Sequence, residues 1–214
     1  MLTMFSQQLA TDVSVKCESE TFLAHKSILS AHSIVFRTMF EHTLTKESQT
    51  SEVLIEEFDP IAVLIMLQWF YSAEVCLPYE EVRGRYLTDE RCSCSENEQG
   101  TSNSTPSCSC HTLTDELLLQ ITELSHKYAL EEMQFQCEEK WAQRLSPENI
   151  YDCLYYAELF QLYSLKLSCT EMIRQIPELM AGERWTRLVE WQPEIEQRIC
   201  VALEIEPSTS KKSE

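Results

Sequence analysis

Four cysteines and a histidine stand close enough in the chain to hold a soft metal ion. Cys92-x-Cys94 and Cys108-x-Cys110-His111 are separated by thirteen residues and put up to five thiolate or imidazole donors on one segment. That donor set suits zinc or cuprous copper. Structural zinc sites usually space paired cysteines by two or more residues, and a C-x-C pair strains a shared tetrahedron. Ser, Asn and Thr fill the interval without apolar support. Zinc on Cys92, Cys94, Cys108, Cys110 and His111 therefore stands beside two plainer readings, a redox-sensitive segment and a disordered one. No other cofactor is expected. Asp12 and His25 are the second pairing with chemical potential. A general base needs an acid-held histidine next to a nucleophile and a cleft. Polar groups that satisfy each other inside a fold are the commoner case, so the expectation is a structural pair and no enzyme.

The composition removes further classes. The chain has 214 residues, enough for one or two domains, and folding at this size hides roughly 70% of the extended chain's surface. Lys plus Arg number 17 against 35 Asp plus Glu, a formal charge of -18. Phosphate-backbone binders need a positive footprint, so no nucleic acid partner is expected. The three glycines, Gly84, Gly100 and Gly182, are too far apart for a phosphate-cradling loop. The longest apolar run, Ile61 to Leu67, falls well short of the ~20 residues that cross a bilayer. No membrane partner is expected. The opening MLTMFSQQLATDV lacks a basic leader region. Together with six scattered cysteines (Cys17, Cys76, Cys137, Cys153, Cys169, Cys200), this points to a reducing compartment, cytoplasmic or nuclear. Asn103-Ser104-Thr105 is then a coincidental glycosylation sequon.

The elements that must position any site begin with a short ribbon. Val13 and Val15 alternate with Ser14 and Lys16, a half-buried strand, and residues 21–24 form its hairpin partner across Glu18-Ser19-Glu20. From His25 to Phe40 the period lengthens to that of a helix, with a break and N-cap at Ser33, which gives two short helices. Residues 52–58 read as one more strand. Asp59-Pro60 then starts a helix that carries Val63, Leu67, Phe70 and Tyr71 on one face. Residues 79–111 have almost no apolar periodicity and read as an insertion. Helical pattern resumes at Thr112, with Asp115 as a capping-box partner and a stripe of Leu117, Ile121, Leu124 and Tyr128. Ser146-Pro147-Glu148 repeats the cap-then-proline start before a seam of Ile150, Cys153, Leu154, Ala157 and Phe160. Pro177 and Gly182 interrupt the helical pattern, Pro193 opens a final helix, and no internal repeat is evident. Glu131-Glu132 and Glu138-Glu139 read as solvated faces, Trp185 and Trp191 as packing residues.

Asp12-Val13, the hairpin, and Ala24-His25-Lys26-Ser27-Ile28-Leu29 through Ser33, Phe36 and Met39-Phe40 resemble the signature of a BTB (POZ) domain. His126-Lys127-Tyr128-Ala129-Leu130 resembles the segment that closes such a domain. Cys137-Glu138 and Leu145-Ser146-Pro147-Glu148-Asn149 resemble the start of the BACK region of speckle-type POZ proteins and Kelch-like adaptors. The resemblance implies an α+β fold, a short β-sheet flanked by helical hairpins, followed by an all-α BACK-like region. The divisions it implies are a truncated dimerisation segment over 1–11 and a BTB/POZ domain over 12–130 with a disordered Cys/Ser-rich insertion at about 79–111. A BACK-like region over 131–203 and a polar tail over 204–214 complete the chain.

In that family the domain is a protein-interaction module. The resemblance implies binding to the N-terminal region of Cullin-3 as a ubiquitin-ligase adaptor, or pairing with itself or another BTB protein. Contact candidates for the scaffold are Phe36, Met39, Phe40, Glu41, His42, Leu44 and Glu47, with Tyr128 behind them. Either at least one of Phe36, Met39 and Phe40 lies at a rim as an exposed anchor or all three are core, and both readings stay open. Candidates for self-association are Leu2, Phe5, Leu9 and His32. Cullin-binding members carry a hydrophobic-x-Glu triplet after this helix. Here Leu44-Thr45-Lys46 occupies that place, with Glu47 one position late. No MATH or Kelch module is expected within this length. The alternatives are a BTB assembly or competitor protein without a ligase role, and a metal- or redox-responsive regulator acting through the loop cysteines.

Overall fold

A computed structural model describes residues 1–42, 44–79 and 113–204. The chain divides into two compact units, residues 1–137 and 138–214. The first holds α1 (Leu2–Ser6), β1 (Val13–Cys17), β2 (Glu20–Ala24), α2 (Lys26–His32), α3 (Ile34–Glu41) and α4 (Lys46–Thr50). These are followed by β3 (Glu52–Leu54), α5 (Pro60–Ser72), α6 (Asp115–Lys127) and the first part of α7 (Glu131–Arg144). The architecture is α+β, a small sheet with a mostly helical surround, followed by a helical stretch.

The sheet has the order β2-β1-β3. Strands β1 and β2 pair antiparallel, with Val13 opposite Ala24 and Cys17 opposite Glu20, and Glu18 turns the hairpin at φ 48°. Val13, Val15 and Cys17 are buried while Ser14 and Lys16 are half-buried, which is the period-two pattern of a one-sided strand. Strand β3 lies parallel to β1, with Val15 opposite Val53. It covers only Glu52–Leu54, shorter than the expected 52–58. The last pair is Lys16 with Leu54. β1 ends at Cys17, so β3 has nothing further to pair with, although the Ile55 amide still donates to Lys16 O at 2.8 Å.

Ser33 breaks the helical pattern and caps α3. It is wholly buried, its Oγ accepts from the Phe36 amide at 3.1 Å and donates to Tyr128 O at 2.6 Å. One hydroxyl thus starts α3 and ties it to the closing segment of the domain. Asp59 caps α5 by accepting from the Ile61 amide at 2.8 Å, with Pro60 in the first turn. The expected one-sided stripe on α5 is not what forms. Every residue from Ala62 to Tyr71 is buried, because α1, α2, β2 and α6 all pack on this helix. Helix α6 starts later than Thr112 suggested, since Thr114 supplies the cap to the Leu117 amide at 3.2 Å. Thr112 lies outside the described residues. Leu118 takes the buried place that the stripe assigned to Leu117.

The second unit contains α8 (Ile150–Leu159), α9 (Tyr163–Gln175), a 3-10 turn (Pro177–Met180), α10 (Glu183–Trp191) and α11 (Pro193–Leu203). The seam of Ile150, Cys153, Leu154, Ala157 and Phe160 is buried as read. The cap-then-proline start at Ser146-Pro147 is not realised. Asn149 Oδ1 accepts from the Ser146 amide at 2.8 Å and its Nδ2 donates to Arg144 O at 2.9 Å, which holds 147–149 as a turn. The helix begins only at Ile150. Glu158, 7% exposed, joins α8 to α9 and α11 through Lys166 at 3.2 Å and through Arg198. Burial holds the Lys166 ammonium below the usual lysine range. Trp185 is buried, whereas Trp191 is 49% exposed and leans on Tyr155 at 4.5 Å. Among the described residues no helix is long and apolar enough to cross a membrane.

Candidate functional site

Helix α3 has two faces with different tasks. Its inner face is anchored by Phe36, which is 0% exposed. The Phe36 ring stacks on Tyr128 with centroids 4.6 Å apart and planes within 3°, and meets Phe70 edge-on at 5.8 Å. Tyr128 is buried, and burial, then the neighbouring Cys17 and Glu57 charges, push its hydroxyl up to about 12. Both residues were contact candidates for a partner. They are instead enclosed, because the closing segment of the domain folds back over α3 and leaves them no surface. Phe40 is half-buried, with Lys26 Nζ 5.6 Å from its ring centre.

The outer face lines a groove of about 460 Å³. Ile34, Val35, Thr38, Met39 and His42 supply one side, Thr45 and Glu47 the other. Ile34 is 57% exposed although it opens an amphipathic helix. The second wall is fixed locally. Thr45 Oγ1 lies 2.6 Å from Met39 O and 2.9 Å from His42 O, to which it donates, and accepts from the Ser48 amide at 3.2 Å. One threonine thus closes α3 and caps α4. Glu47 is half-buried in the first turn of α4, while Lys46 is exposed and does not line the groove. Leu44, next to Thr45 in the chain, is 82% exposed and is not among the lining residues. Glu41 is exposed.

Of the contact candidates, Met39, His42 and Glu47 come together in the groove. Ile34, Val35, Thr38 and Thr45 were missed. The signal is present in the chain: 34, 35, 38, 39 and 42 recur at helical spacing on the face opposite Phe36. It went unread because Phe36, Met39 and Phe40 drew the reading of this helix and Ile34 and Thr38 were left unassigned.

The self-association candidates divide in the same way. Leu9 is 49% exposed, His32 is exposed, and Leu2 is half-buried. Phe5 is 0% exposed and stacks on Tyr71 at 4.7 Å, so it anchors α1 to α5 and offers no free surface. His25 completes this anchorage. Its Nε2 lies 2.6 Å from Leu9 O and its Nδ1 2.8 Å from the Tyr71 hydroxyl. A carbonyl can only accept, so Nε2 carries the proton and donates, while Nδ1 accepts from Tyr71. Asp12 Oδ1 accepts from the Lys26 amide at 2.7 Å. Both members of the Asp12 and His25 pair are therefore engaged in holding backbone.

Cys92, Cys94, Cys108, Cys110 and His111 lie outside the described residues. Among the described residues no group of three or more His, Cys, Asp or Glu is placed to hold a metal. Five of the other cysteines are buried and Cys76 is half-buried. Burial and the nearby Cys153 thiol push Cys169 upward, toward the unreactive protonated form. Tyr79 donates its amide to the buried Gln68 at 2.8 Å, and the rest of the expected insertion lies outside the described residues.

Residues 1–92 match the BTB/POZ domain family. This part of the chain is a BTB/POZ domain. The hairpin, the Ser33-capped pair α2 and α3, and the groove beside α3 all belong to the matched stretch. The match starts at residue 1 and so takes in α1. Similar relatives carry the same domain in their names. TD and POZ domain-containing protein 4 of Mus musculus is 27% identical over 193 residues, 90% of this chain and 43% of the relative. BTB and MATH domain-containing protein 40 of Caenorhabditis elegans is 21% identical over 198 residues, 90% of this chain and 41% of the relative. The chain thus spans less than half the length of these relatives. A BTB/POZ domain is a protein-interaction fold, and this one is a protein-protein interaction module.

Proposed function

We propose that the groove beside α3 is the docking face of a Cullin-3 ubiquitin-ligase adaptor. The observation that carries this reading is a shallow, open apolar hollow on the outer face of α3 with Ile34, 57% exposed, in its lining; Leu44, 82% exposed, precedes the lining residue Thr45 in the chain. Exposed apolar side chains around a pocket are what a protein interface buries at its centre. The late glutamate fits the reading as well. Glu47 lines the groove and Lys46 does not, so the acid expected one position earlier is still offered to the occupant. Under this proposal the helical stretch after the domain is a BACK-like region and the protein acts in the cytoplasm or nucleus. The test is titration of the purified chain with the Cullin-3 N-terminal region. Saturable binding that Leu44→Asp and Met39→Asp abolish supports the adaptor; absence of binding at tens of micromolar removes it.

A second reading is a BTB assembly protein that pairs with longer relatives and has no ligase role. Leu9 and His32 favour it, as exposed residues at the α1 and α2 edge of the domain. Co-purification with a longer BTB protein but not with Cullin-3 distinguishes the two. The loop cysteines carry a third possibility, metal or redox regulation, for which stoichiometric zinc lost on changing Cys108 and Cys110 to serine is the test.

A further inference from the structure

One buried donor on α5 is left without a partner. Trp69 is 3% exposed, its indole Nε1 is closed off from solvent, and no hydrogen-bond acceptor reaches it among the described residues. A buried indole N–H ordinarily finds an acceptor, because an unmade bond forfeits the one it had with water. Its neighbours on the helix are served. Gln68 donates to Leu77 O at 3.4 Å and accepts from the Tyr79 amide at 2.8 Å, and the Tyr71 hydroxyl donates to His25 Nδ1 at 2.8 Å. An orphan of this kind calls for a physical reason. His32 leans on it from the last turn of α2, with the two rings edge-on and their centroids 5.8 Å apart. His32 is itself exposed.

We infer that Trp69 is a hydrogen-bond donor held for a second copy of this chain. When two domains pair along the α1 and α2 edge, His32 turns aside and a backbone carbonyl of the second copy accepts the indole N–H. A two-fold pairing uses the same patch on both copies, so the bond is made twice. The occupant is a second copy because this edge is apolar and poor in charge. Met1, Met4 and Leu9 are exposed on it. Residues 1–34 hold only Asp12, Glu18 and Glu20 against Lys16 and Lys26, so the like-charge repulsion of a chain at -18 is weakest here. Helices α1 and α2 both pack on α5, which places the orphan donor under the edge that pairs. This rests on the assembly reading and adds the residue that makes the pairing specific.

The full chain, isotope-labelled at its four indole nitrogens, is followed by NMR from about 10 µM to about 1 mM while light scattering reads its mass. The indole resonance that is missing from Trp69→Phe is expected to move downfield in step with the mass, and those of Trp141, Trp185 and Trp191 to stay in place. Trp69→Phe keeps an aromatic ring against His32 and removes only the donor. Its pairing should weaken at least about ten-fold, with the other three indole resonances unchanged as the sign of an intact fold. Trp191→Phe, which alters an exposed ring on α10, should pair like the parent. If the chain pairs while the Trp69 resonance stands still, or if Trp69→Phe pairs as tightly as the parent, the inference is overturned and the assembly reading survives. A mass that stays monomeric up to about 1 mM removes the assembly reading and the inference with it. Should Trp69→Phe unfold, the resonance is assigned by replacing the other three tryptophans in turn, and the concentration series of the parent decides.

Discussion

Replacing Phe36 separates holding α3 from touching a partner. The ring is 0% exposed and packs on Tyr128, Phe70 and Phe40 at 4.6, 5.8 and 5.9 Å. Truncating such a residue to alanine costs about 3–5 kcal/mol, while leucine keeps most of the volume and costs about 1–1.5 kcal/mol. With a urea slope of about 2 kcal/mol per molar, the midpoint falls by about 2 M for Phe36→Ala and by about 0.5–0.8 M for Phe36→Leu. Met39 is half-buried and lines the groove, so Met39→Asp should change stability by less than about 1 kcal/mol yet weaken docking about 30-fold or more. The assay is urea unfolding of each variant, then titration with the Cullin-3 region in the absence of denaturant. Phe36→Leu should be less stable and bind within about three-fold of the parent. The reasoning is refuted if Phe36→Leu unfolds like the parent but loses docking as completely as Met39→Asp does.

Three other contacts give outcomes of their own. Tyr128 is raised from 10 to about 12, so its contribution is complete below the unfolded value near 10 and is lost as pH climbs to the folded value. That is about 2–3 kcal/mol of alkaline destabilisation, which Tyr128→Phe should remove from a plot of stability against pH. Ser33→Ala deletes both the cap on Phe36 and the donor to Tyr128 O; unfolding should register a loss of about 1–3 kcal/mol, and a neutral result contradicts the account. Glu158→Gln removes the carboxylate that Lys166 and Arg198 share while Glu138 still acts on Lys166, and denaturation should show about 1–3 kcal/mol lost, with little change in docking at the groove.

Much of the domain was legible because its signals are local. Val13 and Val15 announce a one-sided strand, Ser33 a break between helices, Asp59-Pro60 a helix start. Each works through bonds no more than a few residues long. The early end of β3 was not legible, because it depends on where β1 stops, a fact held 36 to 38 positions away. The all-round burial of α5 depends in the same way on elements that come from both sides of it in the chain. Ser146-Pro147 misled because a cap signature competes with an asparagine two residues on that bonds back to Ser146 and Arg144 and delays the helix. The site was half legible. Periodicity marked Phe36, Met39 and Phe40 as apolar residues of one helix. It could not say that Phe36 faces Tyr128, 92 residues further along, or that Ile34 and Thr38 on the outer side would be exposed. Glu47 was visible only as a displaced acid. Its value depends on Thr45 capping α4 so that position 47 rather than 46 meets the groove.

The most direct test of the docking account is the methyl NMR spectrum of the chain, recorded as the Cullin-3 N-terminal region is added. The account predicts that Ile34, Val35 and Met39 shift together and saturate while the wholly buried Leu29 and Ile121 do not. Shifts confined to residues away from α3, or none at tens of micromolar, would contradict it.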